Sequence, residues 1–244
     1  MRRFLKFLFY TFLLLLLLAI VAGFALYRAS QQKPQFYVEA LKAPPPEVRE
    51  AQREQFEQQA VELRNQALQE GDWRAAFTDD QINAWLADEL PKKFPDLLPK
   101  EISKPRIKIT EKEILAACGY QDQRISTVFS LAMSARLTDQ PNEMALTIRS
   151  VKAGLAPVPL SRILPMAKER AAKEAPEIRW TTDEDGSPVM LIPLRFADDD
   201  SETDIQLKTL ELQEGALDFS GSTKLRASED EEEAPRRGFN PNPE

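Results

Sequence analysis

The chain has 244 residues, with 39 Asp and Glu against 32 Lys and Arg, one Cys and no His, for a formal charge of −7. Net acidity without a dense Lys/Arg face excludes the electrostatic footprint of a nucleic-acid binder. The absence of histidine excludes Ser-His-Asp and Cys-His nucleophile arrangements.

From Phe7 to Tyr27 no charged residue occurs, and Leu13 to Leu18 is an unbroken leucine run. As a helix this stretch extends roughly 31 Å, enough to span a bilayer core. Within lipid every peptide group must pair inside its own segment, so the composition points to a transmembrane helix contacting the lipid bilayer through residues 7–27, with Tyr10 and Tyr27 near its two interfaces. A cleaved signal peptide competes with this reading, because Arg2, Arg3 and Lys6 form a basic leader and Gly23-Phe24-Ala25 is a small-x-small site. The length of the apolar run favours a retained signal anchor over residues 1–30. Arg28 and Lys33 follow the span, so charge bias is weak, and we expect a cytoplasmic amino-terminus with the folded domain outside.

Residues 31–46 end in Ala43-Pro44-Pro45-Pro46 and read as a Pro-rich linker, a stiff extended spacer away from the membrane. A helix is expected over Glu47 to Gln69, with Phe56, Ala60, Leu63 and Ala67 on one narrow stripe. Gly71 ends it. A second helix starts at Thr78, where Thr78-Asp79-Asp80-Gln81 has capping-box spacing, and Ile82, Trp85, Leu86 and Leu90 form its apolar face up to Pro91. The Pro-rich stretch from Pro91 to Pro105 then leads into strands.

Beyond Ile107 the apolar period becomes two. In Ile125 to Leu137, the residues Phe129, Leu131, Met133, Ala135 and Leu137 share the face expected to be core, and Ser130, Ser134 and Arg136 the wet one. Asp139-Gln140-Pro141-Asn142 is a turn, and Met144, Leu146 and Ile148 resume the alternation, making a hairpin. Gly154 to Leu160 holds Pro157 and Pro159 and reads as an extended strap, followed by a helix with Pro165 in its first turn and a stripe of Leu164, Ala167 and Ala171. Asp183 to Gly186 and Glu214-Gly215 supply reversals, Pro193 consigns its strand to an edge or bulge, and Leu217, Phe219 and Leu225 mark a last half-buried strand. The fold class is therefore α+β: one transmembrane helix followed by a domain, residues 47–226, with a curved, mostly antiparallel sheet packed on amphipathic helices. Residues 227–244 form an acidic tail expected to be disordered.

Chemistry is sparse. There is no Gly-x-Ser-x-Gly, no Ser-x-x-Lys in a convincing context and no Gly-rich phosphate loop, so the chain reads as a non-enzyme without catalytic residues or cofactor. Asp198-Asp199-Asp200 with Glu202 and Asp204, or Asp183 with Asp185, could gather on a hard cation, yet neither has EF-hand spacing and solvated turns are the expected role; no metal is assigned. Cys118 has no partner for an internal disulfide and reads as a core filler, and Trp85 and Trp180 as structural aromatics.

Over Thr78-Asp79-Asp80-Gln81-Ile82-Asn83-Ala84-Trp85-Leu86, and again over Ala153-Gly154-Leu155-Ala156-Pro157-Val158-Pro159-Leu160, the chain resembles the YpmS-like family of bacterial membrane-anchored proteins. The resemblance implies an extracytoplasmic domain in the bacterial envelope and brings no catalytic residues. More distantly the chain looks like lipid-binding folds in which a long curved sheet wraps around a helix.

Two functional readings follow. In the first, a membrane-anchored extracytoplasmic module holds a lipid or other apolar ligand between its sheet and the helix from Thr78, with Ile82, Trp85, Leu86, Phe129, Leu131 and Met133 as candidate groove-lining residues; ordinary core packing is the competing role for each. In the second, the domain is a structural or assembly protein that docks on another envelope protein through sheet edges, the charged helix or the acidic tail.

Overall fold

A computed structural model describes residues 17–42, 44–123, 125–194 and 203–225. Residues 17–30 are helical (α1). The part of the expected anchor upstream of them, residues 7–16, lies outside the described residues, as do the tail 227–244 and Asp198 to Glu202. Among the described residues no helix is long and apolar enough to cross a membrane.

The remainder is α+β, with every strand pairing antiparallel. In chain order it comprises α2 (Gln35–Ala40), α3 (Pro46–Ala67), β1 (Gly71–Thr78), α4 (Asp79–Asp88), α5 (Leu90–Lys93), β2 (Ile102–Ile109), β3 (Ile114–Gln121), β4 (Ser126–Leu137), β5 (Glu143–Ala153), β6 (Ala156–Pro157), α6 (Leu160–Glu174), β7 (Arg179–Thr182), β8 (Pro188–Pro193), β9 (Thr203–Gln213) and β10 (Ala216–Leu225). The strands form two sheets: a three-stranded one ordered β1-β10-β9 and a seven-stranded one ordered β2-β3-β4-β5-β8-β7, with β6 paired to β5.

The Pro-rich linker differs from its expected form. Pro45 holds the extended φ/ψ of −48° and 145°, but α2 precedes it and buries Tyr37 to 2% exposure. Tyr37 packs on Ala117 and Val128 with Phe36 and Leu41, and its hydroxyl donates to the Lys104 carbonyl. With its aromatic buried on the sheet, this stretch belongs to the folded body and is not a free extended spacer. Burial also raises the Tyr37 phenol above its ordinary pKa.

Helix α3 matches the expected span, and its Pro46 sits at a helix N-terminus where a missing N–H costs nothing. Ala67, the end of the expected stripe, is buried with Trp73 and Ile205, and Leu63 packs on the same cluster. Between Gly71 and Thr78 the structure adds a strand: Trp73, Ala75 and Phe77 alternate with Asp72, Arg74 and Ala76, and β1 pairs with β10 throughout. Thr78 caps α4 as expected, its hydroxyl accepting from the Gln81 N–H at 3.2 Å while Gln81 Oε1 accepts from the Thr78 N–H at 2.9 Å.

Helix α4 lies along the open edge of β2. The Asn83 amide donates to the Ile107 carbonyl and accepts from the Ile107 N–H, both at 2.8 Å, and Asp79 accepts from the Ile109 N–H. The β9–β10 turn completes the cover, with the Gly215 N–H donating to the Ile109 carbonyl. An exposed strand edge invites foreign pairing, and here side chains occupy it. Pro105 falls in the same edge strand, where the register shifts between Ser103 and Arg106, the setting proline tolerates.

Two prolines depart from expectation. Pro193 does not make β8 an edge, since β8 lies between β5 and β7. Proline is accommodated because Pro193 is the last residue of β8, opposite Glu143 and beyond the β7 pairing, which stops at Arg179–Leu191. Pro165 is inside α6 rather than in its first turn, because the helix starts at Leu160. It withholds the N–H that would otherwise bond the Ser161 carbonyl.

Candidate functional site

The face of the large sheet that is most buried is the reverse of the expected one. In β4 the buried residues are Val128, Ser130 and Ala132, whereas Phe129, Leu131, Met133, Ala135 and Leu137 are each only half-buried. The cause is side-chain size. Ala117 on β3 pairs with Ser130, and Gly119 with Val128, so this face is thin enough for α2 to seat Tyr37 against it. At Gly119 an added Cβ would come within 2.9 Å of the Ser103 hydroxyl.

The opposite face collects the large apolar side chains. Register places Cys118, Phe129 and Ala153 in one row; Ala116, Leu131 and Val151 in the next; then Ile114, Met133 and Ile148. Farther along come Ala135, Leu146 and Met190, which pairs with Trp180 on β7. Among these only Ile148, at 7%, is buried; the rest keep part of their surface in contact with water. The Cys118 thiol is pushed up by burial, which suits an apolar surface and disfavours a reactive thiolate. Tyr120 and Phe129 close one end of the face edge-to-face, with centroids 5.3 Å apart.

Helix α6 touches this face at β7. Lys168 Nζ sits 5.6 Å from the centre of the Trp180 ring, and Ile163, Leu164, Ala167 and Ala171 are half-covered, yet none of the α6 residues whose burial is described is buried. The Trp180 indole nitrogen is itself buried and has no hydrogen-bond acceptor among the described residues. Buried donors are ordinarily satisfied, so this one stands out.

The six residues expected to line a groove therefore fall in two places. Phe129, Leu131 and Met133 share the half-open apolar face. Ile82, Trp85 and Leu86 belong to α4, at the far side of β2, with β3 between β2 and β4. There Trp85 packs against Phe56 at 5.8 Å and Phe94 at 6.3 Å, inside an aromatic chain that continues through Phe77 to Phe219. Sequence reading missed Trp180, Met190 and Val151 as members of the apolar face. Their alternation was legible, but which strands lie side by side is a matter of register.

Asp198, Asp199, Asp200 and Glu202 lie outside the described residues, among which there is no group of three or more His, Cys, Asp or Glu side chains that could hold a metal ion. Asp183 is a turn former: it accepts from the Asp185 and Ser187 N–H groups and pairs with Arg149 at 3.1 Å.

Helix α1 carries Leu17, Leu18, Ile20, Val21, Phe24, Leu26 and Tyr27, each more than half exposed. They point to all sides of the helix, and apart from the Arg28 guanidinium over the Phe24 ring, at 5.9 Å, they stand in the open. Comparison with protein-family models, with curated proteins and with solved structures finds no match. The resemblance to the YpmS-like family thus rests on its two short segments alone.

Proposed function

We propose that the protein is a membrane-anchored extracytoplasmic module that holds a lipid or other apolar ligand on the outer face of its large sheet, beneath α6. The observation carrying this reading is the continuous row of large apolar side chains, from Phe129 to Met190, that a neighbouring amphipathic helix leaves half uncovered. Water contact on so many bulky side chains is costly at roughly 25 cal/mol per Å², and an acyl chain laid along the rows would remove it. The unpartnered Trp180 N–H offers a donor for a ligand carbonyl. Anchoring rests on the exposed apolar belt of α1 and on the uncharged sequence that precedes it. The amino-terminus is cytoplasmic in this reading. Ile82, Trp85 and Leu86 are packing residues in it, and Phe129, Leu131 and Met133 line the site.

The test is mass spectrometry of the full chain purified in mild detergent, followed by lipid uptake from vesicles after stripping. A co-purifying lipid, lost on Leu131→Asp but retained on the exposed-surface change Gln140→Asp, is the expected result. Cys118 supplies a second readout, because a ligand lying over Phe129 also shields the thiol opposite it. Alkylation of Cys118 should slow when lipid is restored. No bound lipid, together with an alkylation rate indifferent to added lipid, overturns the proposal.

A further inference from the structure

The end of α1 is not followed by a free tether. The Leu155 N–H donates to the Ala29 carbonyl at 2.8 Å, and the Thr127 hydroxyl donates to the Ser30 carbonyl at 2.7 Å. Between these, Gly154 lies so close that an added Cβ would strike the carbonyls of Ala29, Ser30 and Gln32, and its φ of +60° is one that glycine adopts without strain. The last carbonyls of a helix lack intrahelical donors, and here the β5–β6 turn and the start of β4 supply them. The body is thus bolted to the helix end through two strands of its main sheet.

That attachment brings two turn tips to the helix exit. One is Leu155 in the β5–β6 turn, 45% exposed; the other is Ile125, 52% exposed, where the Asp122 N–H closes the β3–β4 turn on the Ile125 carbonyl. Ala29 is two residues past Tyr27, about 3 Å along the helix axis, so both tips stand at the level where the apolar run of α1 stops. The apolar sequence continues upstream of residue 17, which leaves a bilayer as the surface meeting the helix at this height. Exposed charges around the exit include Arg28, Lys33, Lys42, Lys104 and Lys152 against Glu39, Glu101 and Asp122, and Arg124 adjoins Ile125 in the sequence, so a basic excess adds to apolar insertion in holding the contact.

We infer that the domain docks on the bilayer surface by inserting Ile125 and Leu155 among the lipid headgroups, fixed in one orientation by the bonds to Ala29 and Ser30. The inference rests on the anchor reading above and extends it. The end of the apolar face formed by Tyr120, Phe129 and Ala153 adjoins these tips, so in this orientation it opens directly onto lipid.

The test places an environment-sensitive fluorophore on single cysteines at positions 125, 155 and 140 of the full chain carrying Cys118→Ala. The labelled chains are reconstituted in vesicles of mixed zwitterionic and anionic phospholipid containing nitroxide-labelled acyl chains. Gln140 is the control, in the β4–β5 turn about 30 Å up the sheet from the tips. Quenching at 125 and 155 several-fold above that at 140, reduced but not abolished by high salt, is expected. Equal, water-like emission at all three positions while the chain resists alkaline extraction overturns the docking and leaves the anchor standing. Chain lost on alkaline extraction overturns the anchor, and with it the docking that rests on the anchor. A photoreactive group at position 155 that captures protein instead of lipid in native membranes counts against it.

Discussion

The two sheets bury the same kind of sequence in opposite ways. In β1 of the small sheet the alternating apolar residues are shut in: Trp73 and Phe77 are 3% and 8% exposed, sealed by α3 and α4, while Leu217 and Phe219 on β10 are half-buried. The Trp73 indole donates to the Thr223 hydroxyl, which in turn donates to the Ala67 carbonyl at 2.7 Å. On the outer face of the large sheet the same alternation stays half open, and the polar tip of Trp180 has no described acceptor. The difference lies in the covering helix. α4 is started by the Thr78 capping box and α3 by Pro46 at its N-terminus, whereas α6 carries a proline in its interior. A strand pattern states which residues share a face; what lies over that face is decided by elements distant in sequence.

The sharpest way to break this contrast is truncation on each side. Trp73→Ala should cost about 3–5 kcal/mol in chemical unfolding, and Met133→Ala, on the half-open face, about 1 kcal/mol or less because little buried volume is lost. Equal costs would mean that the outer face is as closed as the small-sheet core. Next in size is Asn83→Ala, which strips the Ile107 N–H and carbonyl of both partners on the β2 edge; a loss of about 2 kcal/mol is expected, with added aggregation on heating. Thr78→Ala removes one arm of the capping box and should cost about 1 kcal/mol, read from the shift in denaturant midpoint at constant slope.

The smallest effect is electrostatic and belongs to the closed side. Glu89 joins α4 to α3 and α5 through Arg53, Lys92 and Lys93, and the Lys92 hydrogen bond, ahead of the Lys92 and Lys93 charges, holds its carboxyl below the usual range. A depressed acid contributes stability that is present at neutral pH and disappears as pH falls through its folded value. The melting-temperature difference between the native chain and Glu89→Gln should therefore be widest near pH 7 and shrink on acidification. A difference that grows toward low pH would show that the network does not favour the carboxylate.

How much of this was written in the sequence divides along a physical line. Local signals determined local facts: Thr78 and Gln81 set the start of α4, Asn142, Gly186 and Gly215 turned the hairpins with φ of 54°, 77° and 78°, and the period of two gave β4, β5 and β10. Each depends on a few neighbouring residues and on backbone energetics that no distant partner alters. The candidate site was half legible, because Phe129, Leu131 and Met133 do share a face, but pairing them with Ile82, Trp85 and Leu86 required knowing that β2 and β3 intervene. Only the tertiary structure decided that small residues, rather than large ones, form the better-buried side of β4, because Tyr37 arrives from a stretch that reads locally as a spacer. It likewise decided that Gly154 and Leu155 meet the end of α1, a contact across more than a hundred residues that carries no local signature. Alternation fixes relative side-chain direction at every second residue, whereas burial depends on which surface arrives to cover a face, and that is a property of the whole chain.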